Sequence, residues 1–76
     1  MAMSEEDWQE RAKGLLRAEL AKRRIGYKGL AMKLGEIGIE ETDRNIANKV
    51  SRGGFSAVFL MQCLTAIGCR TLHLDA

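Results

Sequence analysis

The sequence has no proline, only two cysteines and one histidine, and one tryptophan and one tyrosine among its 76 residues. Without proline nothing forbids long helical runs, and the eight glycines are left to supply the punctuation. Cys63 and Cys69 are spaced neither as a Cys-x-x-Cys redox pair nor as a zinc-ligand set, so reduced, inert thiols are expected. No apolar run approaches the roughly 20 residues of a membrane span. The acidic opening Met1–Asp7 lacks the basic start and apolar stretch of a signal peptide, which makes the cytoplasm the expected location. His73 stands in the tail with no cysteine or carboxylate partner nearby in sequence. The acids are scattered over polar stretches with no paired arrangement to tune as acid and base. No catalysis, metal or cofactor is expected.

The composition is that of an ordinary globular chain, 46% hydrophobic and 29% charged. One domain is expected over 1–76, with an acidic N-terminal turn (1–10), a helical core (11–68) and a short tail (69–76). A domain of this size buries only about 60% of its unfolded chain's surface, so association would help it. The net charge of +2 is too small to imply a nucleic-acid partner by itself. Its distribution is more informative. Lys13, Arg17, Lys22, Arg23, Arg24 and Lys28 face a single Glu19 in the same stretch, whereas Glu36, Glu40, Glu41 and Asp43 gather further on.

The periodicity predicts four helices. Ser4, followed by acid at Asp7, caps a first helix reaching about Arg24, with Trp8, Ala12, Leu15, Leu16 and Leu20 as its apolar stripe. Gly14 within it is expected to mark the close approach of a neighbouring helix. A second helix, Tyr27 to Ile37, buries Leu30, Ala31, Leu34 and Ile37, and Ile39 plugs the core from the connection. Thr42 caps a third, Asp43 to Ser51, with a narrow apolar side of Ile46, Ala47 and Val50. Gly53-Gly54 ends it, better explained as a helix stop than as a phosphate loop. Ser56 caps a fourth through Ile67, closed by Gly68. Apolar residues cover well over half of this last helix, so burial on two sides is expected, the second side against another copy. Phe55, Val58, Phe59 and Met61 would form that interface. Thr71-Leu72-His73-Leu74 alternates as a short half-buried strand would, and Leu72 and Leu74 are expected to extend the interface by pairing with a symmetry mate.

The segment Ile25-Gly26-Tyr27-Lys28-Gly29-Leu30-Ala31-Met32-Lys33-Leu34-Gly35 resembles the start of the Cro/repressor helix-turn-helix, with its Leu-Ala pair inside the second helix and a closing Leu-Gly. Ala47-Asn48-Lys49-Val50-Ser51-Arg52-Gly53 resembles the end of that family's recognition helix, and Phe55 through Gly68 resembles the helix that follows. The order of elements as a whole is similar to that of small bacterial domains of unknown function. The resemblance implies an all-α, lambda-repressor-like fold of four helices, or of five elements, with a short extended C-terminal segment.

It further implies double-stranded DNA as partner, a regulatory role in transcription and a homodimer, with no membrane. The recognition helix of such proteins presents its N-terminal residues to base edges. Arg44, Asn45 and Asn48 are suited there, since arginine matches guanine and asparagine adenine. Tyr27, Lys28, Lys49 and Arg52 would hold phosphates, with Arg23 and Arg24 as further cations. The sequence departs from the family between its second and third helices. Glu36-Ile37-Gly38-Ile39-Glu40-Glu41 lengthens what is usually a tight turn and loads it with acid. That departure favours the alternative, a protein-interaction or dimerisation module on the same scaffold without DNA binding.

Overall fold

The computed structural model describes residues 2–74. Four helices follow one another, α1 (Glu5–Lys22), α2 (Tyr27–Glu36), α3 (Asp43–Arg52) and α4 (Ala57–Ala66), and no strand occurs among the described residues. Three of them begin on a side-chain oxygen that replaces the missing helical acceptor. Ser4 Oγ accepts from the Asp7 N–H at 3.1 Å while the Asp7 carboxylate accepts from the Ser4 N–H at 3.0 Å, a reciprocal capping box. Thr42 Oγ1 accepts from the Asn45 N–H at 3.1 Å, and Ser56 Oγ from the Phe59 N–H at 3.0 Å.

The helix ends share a device. After α1, α2 and α4 the chain passes through a left-handed residue, Arg24 (φ 55), Gly38 (φ 83) and Gly68 (φ 78). The next N–H then reaches back to a leucine carbonyl: Ile25 to Leu20 at 3.0 Å, Ile39 to Leu34 at 2.9 Å, Cys69 to Leu64 at 2.9 Å. These are Schellman motifs, and Ile25, Ile39 and Cys69 all turn inward against the core. Arginine occupies the first of the three left-handed positions, a conformation that ordinarily favours glycine.

α1 packs on α3 and α4, and α2 packs on the same two helices. The backbones of α1 and α2 never come close, nor do those of α3 and α4. Between the helices lie Leu16, Leu20, Leu30, Leu34, Ile46, Val50, Phe59, Cys63, Leu64 and Ile67. Burying an aliphatic or aromatic side chain of this size contributes roughly 1.5–3 kcal/mol. Phe55 stacks obliquely on Phe59, with ring centroids 5.7 Å apart.

The glycine against which a neighbouring helix's backbone closes is Gly53, not Gly14. A Cβ on Gly14 would meet nothing within 4 Å, whereas one on Gly53 would fall 2.5 Å from the carbonyl oxygen of Gln9. Gly53 also takes a left-handed φ of 70 to end α3. The exposed Gly14 is a tolerated helix glycine.

Other expectations are corrected by the packing. Ile37 lies one residue beyond α2 and is 45% exposed, because the chain turns there and sends Ile39 inward instead. Trp8, in the first turn of α1, is 54% exposed and lies outside the core. Phe59 is buried in the chain's own core and is unavailable to another subunit. Thr71–Leu74 forms no strand. Leu72 packs on the core, Leu74 is exposed, and the Arg11 guanidinium donates to the Leu74 carbonyl.

Candidate nucleic-acid interface

α3 is held by a narrow seam. Only Ile46 and Val50 are buried and Ala47 half-buried, while Arg44, Asn45, Asn48, Lys49, Ser51 and Arg52 are exposed. Arg44, Asn48 and Arg52 recur every four residues and therefore form one stripe along the helix. None of those three side chains is held by a hydrogen bond or ion pair within the described residues. Asn45 stands at the edge of a cavity of about 450 Å3 walled by α2 and the connection, whose rim includes Glu40, Glu41 and Thr42.

The residues expected to grip phosphate divide into two groups. Lys28, on the first turn of α2, and Arg52, on the last turn of α3, are exposed and free of ion pairs among the described residues. Tyr27 is half-buried against the core, and its hydroxyl accepts from Arg17 Nε at 3.4 Å. Lys49 Nζ lies 2.7 Å from Glu41 Oε2 and 4.8 Å from the centre of the Phe59 ring. The ammonium of Lys49 beside it holds the Glu41 carboxyl below its usual range.

Arg23 is engaged elsewhere. Its guanidinium donates to Glu19 Oε1 at 2.8 Å and to the Glu19 carbonyl at 3.0 Å. With Lys22 on the second carboxylate oxygen at 3.1 Å, these bonds hold the Glu19 carboxyl down to about 2. Sequence order alone made Arg23 a surface cation. The inward turn of Glu19, which is buried, is what recruits it.

The apolar residues expected to join two copies are also divided. Val58 and Met61 are 66% and 63% exposed, and with Ile37, Ala57, Gln62 and Thr65 they line an open cavity of about 370 Å3. Leu72 and Leu74 belong to a different patch with Trp8, Ala12, Leu15 and Leu60, around a cavity of about 250 Å3. The spacing of Ile37 and Trp8 points to the core, and the sequence signal against it is their position, Ile37 at the C-cap of α2 and Trp8 in the first turn of α1.

The family described as Domain of unknown function (DUF6471) matches residues 8–72, which takes in most of α1 and all of α2, α3 and α4. The chain belongs to this family. No curated protein and no solved structure matches it. The DUF6471 description carries no activity. Among the described residues no three of His, Cys, Asp or Glu stand together as a metal site, and no helix is long and apolar enough to cross a membrane. Burial pushes the Cys63 thiol up to about 11, which keeps it a neutral thiol near pH 7.

Proposed function

We propose that this DUF6471 domain is a Cro/repressor-like helix-turn-helix that binds duplex DNA as a homodimer and serves as a small transcriptional regulator. The observation carrying the reading is α3 itself. Its only buried side chains are Ile46 and Val50, and its polar stripe of Arg44, Asn48 and Arg52 faces solvent with no ion pair among the described residues. In this reading Arg44, Asn45 and Asn48 meet base edges, while Lys28, Lys49 and Arg52, with the Tyr27 hydroxyl, meet phosphates. Val58 and Met61 join the two copies, which must set their third helices about 34 Å apart to enter successive major grooves.

The test is duplex binding across a salt series. Affinity should fall linearly on a log–log plot, since each neutralised phosphate releases counterions. Arg52→Ala should weaken binding to every sequence and lower the slope by about 1. Asn48→Ala should reduce discrimination at one base pair by about 1–3 kcal/mol. No retardation of any duplex at low salt, with helical content confirmed, overturns the proposal.

The second reading is a protein-interaction module with no nucleic-acid partner. It is favoured by the Glu41–Lys49 pair beside α3 and by the uncharged lining of the Val58–Met61 cavity. A folded chain that ignores DNA yet self-associates through that face would match it.

A further inference from the structure

The lengthened connection between α2 and α3 places a carboxylate against α3's own cation. Glu41 immediately precedes the Thr42 cap, and its side chain is only 12% exposed. Its Oε2 lies 2.7 Å from Lys49 Nζ, which is left 47% exposed. The same ammonium stands 4.8 Å from the centre of the Phe59 ring in α4. Lys49 is therefore held from two sides, by an anion from the connection and by the electron-rich face of an aromatic ring. Its side chain also spans α3 and α4, whose backbones make no close approach of their own.

Resting on the DNA-binding reading, we infer that Glu41 is a built-in competitor for the phosphate that Lys49 would otherwise hold, so that the domain rests in a latched state of reduced affinity. A duplex phosphate and the Glu41 carboxylate are alternative partners for one ammonium. Wherever the pair stays closed, Lys49 releases no counterion on binding and adds nothing to the salt dependence. Because Lys49 is half-exposed, the pair is weak enough to open, and the latch tunes affinity severalfold without abolishing binding.

The experiment uses the full chain, with Glu41→Gln, Lys49→Met and the double variant, each confirmed helical. Lys49 should be acetylated by an amine-directed reagent more slowly than Lys28 in the unaltered protein, and Glu41→Gln should bring the two rates together. Glu41→Gln should raise duplex affinity about threefold to tenfold and steepen the salt slope by about 1. Added to Lys49→Met it should change neither. Equal acetylation rates in the unaltered protein overturn the inference. So does a Glu41→Gln gain that persists without Lys49, which would reflect net charge alone. Duplex binding by the unaltered protein with no gain in Glu41→Gln overturns the latch and leaves the DNA reading intact. No binding by any variant overturns both.

Discussion

A methyl group added at Gly53 would have nowhere to go. It would lie 2.5 Å from the Gln9 carbonyl oxygen, which is backbone and cannot swing aside, on a residue whose φ of 70 already disfavours a side chain. The left-handed conformation costs roughly 1–2 kcal/mol for a residue with a Cβ, before α1 is displaced from α3. Gly53→Ala should therefore lower the thermal midpoint by about 10 °C or more, at roughly 4–8 °C per kcal/mol for a domain of this size. The same change at Gly14 should act in the opposite direction. That site is exposed and meets nothing within 4 Å, so relief of a helix glycine should stabilise by about 0.5–1 kcal/mol. Calorimetry on the two variants checks both signs. The sequence marked Gly53 as a helix stop, but not its contact with Gln9, because that approach depends on how α1 lies across α3. Conversely, it offered Gly14 as an approach site only because a glycine inside a helix asks for a reason.

At the level of helices, local chemistry was legible and orientation was not. Ser4, Thr42 and Ser56 announce three starts, because a short polar side chain before an apolar-periodic run has one favourable use there. The shared spacing of Leu20, Leu34 and Leu64 with the apolar residue after each turn underlies the ends. What the pattern of α4 could not divide was its wide apolar surface. Phe59, Cys63, Leu64 and Ile67 face inward, and Val58 and Met61 face out, a split set by where α1 and α2 lie. A helix apolar on its outward side asks for a partner. Val58→Lys with Met61→Lys should leave the fold intact, since both sites are exposed, and should convert a dimer to a monomer in light scattering at micromolar concentration. A monomeric unaltered protein at the highest concentrations tested would rule out this face as the joint. For α3, the polar residues were readable one by one. Their division into those without a partner among the described residues (Arg44, Asn48, Arg52) and the paired Lys49 was not, since the pairing depends on how the connection folds back.

Across the whole molecule, Glu19 links the end of α1 to the segment after α4. Its Oε1 accepts from the Arg23 guanidinium at 2.8 Å and stands 3.6 Å from the Cys69 thiol, whose single proton it shares as an acceptor with the Thr71 carbonyl at 3.3 Å. The folded carboxyl sits near 2 against an ordinary 4.5, chiefly through Arg23 and then Lys22. A group depressed on folding favours the folded state fully above its unfolded value and loses that contribution as protons bind the native form. Urea midpoints should accordingly decline as pH drops from about 4.5 toward 2, and Glu19→Gln should flatten that part of the profile. An unchanged profile in the variant would place the acid sensitivity in other carboxylates.

The pairing of helices has a consequence for how the chain could be divided. Because α1 leans on α3 and α4, and α2 leans on the same pair, a cut in the connection at 37–42 separates every packed couple. Each fragment would carry two helices whose backbones do not pack on each other, touching through side chains such as Arg17 with Tyr27 or Lys49 with Phe59, and half of a common hydrophobic centre. Such pieces are complementary: inert apart, they hold the information for one structure only when they meet.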